Sequence, residues 1–272
     1  MKILICGLGY VGVTAAACLI RDGHSVVGID VDARKVADVA AGRSPVSEPG
    51  VAELLATGAA EGRLSAAQAV GGHLAGAEIV LVCVGTPSNA AGALEMGYVR
   101  AVAAELGAAI AALPDDAPPP LIVIRSTIPP GTMETLVLPA LSAEAGPPGA
   151  RYEVAFNPEF LRESTAIADY YAPAKIVVGE REKGITAQLR GLYRGIDAPW
   201  FELPFAAAEM VKLTDNAFHA LKVTFGNEIG RIALELGVEP GPLIDAFLAD
   251  TRLNISPAYL RPGGPFGGSC LP

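Results

Sequence analysis

Cysteine is sparse, with four in 272 residues, and nothing about their placement suggests a disulfide framework. No spacing of Cys with His resembles a zinc site, so no metal is expected. Basic residues are outnumbered, 20 Lys and Arg against 29 Asp and Glu, and the resulting net charge of −9 argues against a nucleic-acid partner. An acidic chain can still hold a phosphate on backbone donors. No apolar run approaches the roughly 18 residues of a membrane span. Met1-Lys2 leads straight into an apolar run broken by glycines, unlike a signal peptide, so a cytoplasmic protein with no membrane partner is expected. There is no internal repeat. What the chain does have is apolar residues, 51% of the total, ample for a large core in one big or two ordinary domains.

The most informative stretch is the first. Lys2 to Cys6 reads as a buried strand, followed by Gly7-Leu8-Gly9-Tyr10-Val11-Gly12 and a helix from Val13 to Arg21. In a Gly-x-Gly-x-x-Gly turn the first glycine allows the tight bend and the second lets backbone approach a pyrophosphate. The third lets helix and strand pack closely, and the helix N-terminus faces the anion. A second strand, Ser25 to Ile29, ends in Asp30, an acid about 20 residues on and placed to accept both ribose hydroxyls. An acid there repels a 2′-phosphate, so the cofactor is read as NAD, with Lys35 able to approach the adenosine ribose.

Strands then alternate with helices. Glu78 to Val84 stops at Gly85-Thr86-Pro87, Leu121 to Ile124 at Arg125-Ser126-Thr127, and Val154 to Phe156 at Asn157-Pro158-Glu159. Lys175 to Val178 and Trp200 to Glu202 look like shorter strands closing the sheet. The pattern predicts an α/β, doubly wound parallel Rossmann sheet over residues 1–203. Ligands of such sheets bind beyond the carboxyl ends of the strands, which makes Thr86 and Thr127 candidate contacts.

From Pro204 the character changes. Phe205 to Leu236 holds no proline and reads as one long helix, followed by a small helical segment from Pro242 to Ala249. Lys212, Asn216, His219, Val223 and Asn227 recur at steps of three or four, as on a helix lining a polar pocket. The helix also predicts a homodimer, because its glycines and apolar residues leave one side to pack. Residues 204–272 thus form a second region, ending in a glycine-rich loop. Cys6, Cys18 and Cys83 lie in apolar segments and read as buried packing residues, whereas Cys270 lies in Phe266-Gly267-Gly268-Ser269-Cys270.

Four segments together resemble the nucleotide-sugar 6-dehydrogenases: Gly7 to Gly12 with Asp30, Gly85-Thr86-Pro87, Asn157 to Glu163, and Gly267-Gly268-Ser269-Cys270. Such enzymes oxidise a sugar's C6 alcohol to a carboxylate with two NAD. Arg162 to Ile167, Lys222 to Gly230 and Ser269 to Pro272 favour GDP-mannose as the nucleotide sugar over UDP-glucose or UDP-N-acetylmannosamine. The resemblance implies that a second, C-terminal Rossmann-like domain is missing, and hence a truncated chain with poor activity alone. It implies NAD contacts at Gly7, Gly9, Tyr10, Val11, Gly12, Asp30, Lys35, Thr86 and Thr127. It makes Cys270 the nucleophile, assisted by Lys212, Asn216, Glu163 and Thr127. It places the substrate against Glu159, Glu163, Lys212, Asn216, His219, Asn227, Tyr259, Arg261 and Gly264. One departure is Ala258, where the family carries a tyrosine.

That chemistry needs those residue types. An alcohol becomes an acid through an aldehyde that must not escape, and a thiolate traps it as a thiohemiacetal able to give up a second hydride. Lys212 and Asn216 would stabilise the oxyanions, and Glu163 would be the general base for hydrolysis of the thioester. Two other readings stay open. A β-hydroxyacid dehydrogenase shares the Lys-x-x-x-Asn pair but has no use for Cys270. A non-catalytic NAD-binding module needs only the first segment.

Overall fold

The computed structural model describes residues 1–182, 184, 187–252 and 255–256. β1 (Lys2–Cys6), β2 (Ser25–Ile29), β3 (Leu64–Ala67), β4 (Ile79–Val82), β5 (Leu121–Ile124), β6 (Glu153–Phe156), β7 (Ile176–Gly179) and β8 (Trp200–Leu203) form one sheet in the order β3-β2-β1-β4-β5-β6-β7-β8. The first six of these in spatial order are parallel. β7 meets β6 antiparallel and β8 runs with β7, so the sheet is parallel except for its last two strands, which reverse. β3 was not expected from the pattern, because Leu64-Ser65-Ala66-Ala67 carries little β-branched or aromatic signal.

The strands are apolar on both sides because both faces are covered. Alternate residues point opposite ways. Leu4, Val80, Val82, Ile122 and Ile124 enter one buried cluster with Val99 and Leu106 of α4 (Gly97–Ala111) and Leu141 of α5 (Leu138–Ala145). Ile3, Ile5, Ile79, Leu81 and Val123 enter the other with Leu19 of α1 (Tyr10–Arg21) and Leu55 of α3 (Val51–Ala60). Two further short helices, α2 (Ala33–Ala40) and α6 (Ala166–Tyr171), precede α7 (Phe205–Glu235) and α8 (Pro240–Leu248).

The chain divides into two compact units, Met1–Thr214 and Asp215–Pro272. The strand-to-helix change at residues 203–204 marks the sequence boundary, but Phe205, Ala208, Glu209 and Lys212 at the start of α7 are buried. Within the second unit, Phe225 and Phe247 place their ring centroids 5.5 Å apart.

Candidate active site

The glycine turn is built by contacts that leave no room for side chains. Gly7 has φ +103°, and a Cβ on it would lie 2.7 Å from the Cys83 carbonyl carbon. A Cβ on Gly12 would lie 1.9 Å from the Gly7 carbonyl oxygen, so the helix packs onto the turn only without one. Gly9 differs: a Cβ there would meet nothing within 4 Å. The open space beyond it is where a diphosphate would approach. Gly9 is also the N-cap of α1 and supplies no side-chain acceptor, so nothing from that residue caps the helix's first amides. About half a positive charge sits at such a terminus.

The reversal of strand order falls between β1 and β4, and a cavity of about 590 Å³ opens there beyond their carboxyl ends. Gly7, Gly9, Tyr10 and Val11 form one part of its wall, and Asp30, Lys35, Thr86 and Thr127 another. Gly12 is not in the lining, in keeping with a packing role. Asp30 is held by the amides of Leu8 at 2.7 Å and Asp32 at 2.9 Å. The Lys35 ammonium stands 3.6 Å from its carboxylate. The Thr86 hydroxyl donates to the Thr127 carbonyl at 2.9 Å, joining the loops after β4 and β5. The turn and the acid fit a dinucleotide with a free ribose diol, and the site takes NAD.

At the far wall, Glu159 Oε1 pairs with Lys212 Nζ at 3.0 Å, both side chains nearly buried at 13% and 9% exposure. The other Glu159 oxygen accepts the Leu161 amide at 2.7 Å. Glu209, fully buried one turn earlier on α7, accepts the amides of Gly131 and Met133 at 2.5 and 2.7 Å, fixing that end of the helix to the loop after β5. Burial pushes its carboxyl above the ordinary value against those two amides.

Nothing in the sequence pattern marks Arg125 as part of the site. It is buried at the end of β5, donates to Asn157 at 2.8 Å and to the Tyr193 hydroxyl at 2.9 Å, and lines the cavity. Asn157 in turn donates to the Val177 carbonyl at 2.8 Å, which anchors the start of the 158–163 loop. An arginine at a strand end carries no sequence signal that separates a buried from a solvated one.

Cys83 lines the cavity, but burial pushes its thiol up to about 12, and Cys18 likewise to about 12, while burial raises Cys6 further. None of the three suits a nucleophile. Glu163 is exposed and outside the cavity lining, so the carboxylate brought to Lys212 is that of Glu159. Asn216, His219 and Asn227 are exposed on the part of α7 in the second unit. Tyr259, Arg261, Gly264 and Cys270 lie outside the described residues.

Residues 1–197 match the UDP-glucose/GDP-mannose dehydrogenase family, NAD binding domain, and residues 206–272 match the central domain of the same family. Over its whole length the chain is 45% identical to a GDP-mannose 6-dehydrogenase from Azotobacter vinelandii and covers 62% of that protein. It is 34% identical to a UDP-glucose 6-dehydrogenase from Haloferax volcanii, covering 63% of it. A crystal structure of a ternary complex of GDP-mannose dehydrogenase from Pseudomonas aeruginosa superposes with a TM-score of 0.95 at 43% identity, over all of this chain and 62% of that one. The chain thus spans about three fifths of the length of these relatives.

Proposed function

The chain belongs to the UDP-glucose/GDP-mannose dehydrogenase family, and from that premise we propose that the intact protein oxidises the C6 alcohol of a nucleotide sugar to a carboxylate, with GDP-mannose as the substrate. The observation that carries the reading is that Glu159, which lines the dinucleotide cavity, is paired with the Lys212 ammonium at 3.0 Å. The pair supplies a carboxylate and an ammonium where the oxidised carbon would stand. NAD, which Gly9, Tyr10, Val11 and Asp30 would hold, would supply the hydride acceptor for each of two oxidations.

The chain's own residues handle the carbon between and after those steps. Cys270 adds its sulfur to the aldehyde carbon, forming a C–S bond and keeping the aldehyde from escaping. Lys212, with the Asn216 amide, offsets the negative charge on the oxygen of each tetrahedral species. Glu159, rather than the exposed Glu163, takes a proton from water as its oxygen attacks the thioester carbon. The C–S bond then breaks and the thiolate returns. Thr127, tied to Thr86 through its carbonyl, holds the cavity rim. His219, Asn227, Tyr259, Arg261 and Gly264 contact the nucleotide sugar.

GDP-mannose is preferred over a UDP-sugar because the relatives of higher identity bear that name. The reading includes a cytoplasmic location and a homodimer. Phe218, Leu221 and Phe225 share one side of α7 and leave 42–62% of their surface exposed, which favours a second copy packing there, and a dimeric mass in solution checks it. The function itself is tested by following NADH at 340 nm with GDP-mannose, UDP-glucose and UDP-N-acetylmannosamine in turn. Turnover highest with GDP-mannose is expected; absence of turnover with all three overturns the reading.

A further inference from the structure

Glu48 lies in the loop between α2 and α3, and the oxidation described above makes no use of it. It is only 7% exposed. Its Oε2 accepts the Tyr10 hydroxyl at 2.5 Å and the Ser164 amide at 2.8 Å. Its Oε1 accepts the Ala166 amide at 2.9 Å. No lysine or arginine pairs with it among the described residues, so three neutral donors hold one buried carboxylate. Burial opposes its ionisation, but the Tyr10 hydroxyl and the amides of Ala166 and Ser164 outweigh that and keep the carboxyl below the ordinary value.

One donor comes from the wall of the dinucleotide cavity and the other two from the segment just past a loop of its opposite wall. Tyr10 sits on the first turn of α1 and lines the dinucleotide cavity. Ser164 and Ala166 follow the loop whose Glu159 lines the same cavity and pairs with Lys212. The Tyr10 hydroxyl also reaches the Arg162 carbonyl at 3.3 Å. Ser164 has φ +70°, the one non-glycine residue with positive φ among the described residues. That conformation is costly for an L residue and persists only where the surroundings enforce it. Here the carboxylate receiving its amide does so.

We infer that Glu48 is a positioning residue that clamps the Tyr10 turn to the 159–166 loop from behind, so that NAD meets a cavity whose two walls are already in register. It touches neither NAD nor substrate and acts through Tyr10 and Ser164. In Glu48→Gln the amide nitrogen faces donors rather than accepting from them, and the size is kept.

The test uses this chain and NAD alone. Titration calorimetry is expected to show the NAD Kd of Glu48→Gln raised about tenfold, with faster hydrogen exchange at the Ser164 and Ala166 amides. Adding Ser164→Gly, which takes positive φ without strain, is expected to recover part of the affinity. A role in global stability alone would lower the melting temperature without that recovery. Should Glu48→Gln fail to fold, Tyr10→Phe removes only the hydroxyl, and faster exchange at amides 164 and 166 is again expected. A folded Glu48→Gln with wild-type Kd, a loss that Ser164→Gly leaves untouched, or unchanged exchange in Tyr10→Phe each overturns the clamp. A wild-type chain that binds no NAD overturns the cofactor site itself, a failure separate from that of the clamp.

Discussion

Glu159 Oε1 lies 3.0 Å from Lys212 Nζ, across 53 residues of sequence, and the pair joins the loop after β6 to the first turns of α7. Removing one partner leaves the other nearly buried and uncompensated. Lys212→Ala is expected to cost roughly 3 kcal/mol, a fall in melting temperature of roughly 6–12 °C for a chain of this size. The double variant Lys212→Met/Glu159→Gln is expected to recover part of that loss while staying inactive. Calorimetric melts of the single and double variants check it, and additive losses would show that the two side chains are not coupled.

Two of the three glycines in the first turn separate packing from binding. Gly12→Ala drives a Cβ to 1.9 Å from backbone that cannot move away, and is expected to give unfolded or insoluble protein. Gly9→Ala places its methyl in open space and is expected to melt within about 3 °C of wild type. Its NAD affinity should nevertheless fall at least about tenfold, because the methyl occupies the diphosphate's approach. Unchanged NAD binding in Gly9→Ala would move the diphosphate elsewhere.

Asp30 is expected to set the choice between NAD and NADP. With the carboxylate removed and Lys35, now 3.6 Å from it, left in place, a 2′-phosphate gains a cation and loses a repelling charge. Asp30→Ser is expected to bind NAD about tenfold more weakly and to acquire measurable NADP affinity, read by calorimetry. If NADP binding stays undetectable, Lys35 does not face the ribose.

The acid limb of stability follows from two carboxylates. Burial opposes ionisation of Glu48, but its three donors hold the folded pKa below the ordinary value; the Arg162 side chain, outweighing partial burial, lowers that of Asp169. The unfolded chain therefore binds these protons more readily. Each group's contribution is complete above its ordinary carboxylate pKa and is lost as pH falls through the folded one. Glu48→Gln and Asp169→Asn are each expected to be less stable near neutrality and to lose less on acidification below about pH 5. Urea midpoints from pH 7 to 3 check this, and a slope equal to wild type in both variants would contradict it.

Much of this site was readable from spacing alone. Strand, Gly7-x-Gly9-x-x-Gly12, helix, strand and Asp30 appear in chain order because each must be a neighbour of the next for the diphosphate to reach the helix end. Thr86 and Thr127 could be placed because strand ends in a parallel sheet converge on one edge. Glu48 and Arg125 could not. Their roles depend on partners 116 and 32 residues away, and neither position has a periodicity that reports burial. The same holds for the choice between Glu159 and Glu163: both lie in one loop, and only the fold shows that the former meets Lys212 while the latter faces solvent. The reversal of β7 is not legible in the sequence, because a four-residue apolar strand reads the same in either direction.

The central claim is that one carbon is oxidised twice and held on sulfur between the two steps. The most direct measurement is the NADH formed per GDP-mannose consumed by the intact protein, wild type and Cys270→Ser side by side, with the sugar product identified by mass. Two NADH per acid product in the wild type, and a variant that stalls with bound or slowly released aldehyde-level sugar, are predicted. One NADH per sugar in the wild type, or normal acid production by Cys270→Ser, would contradict the account.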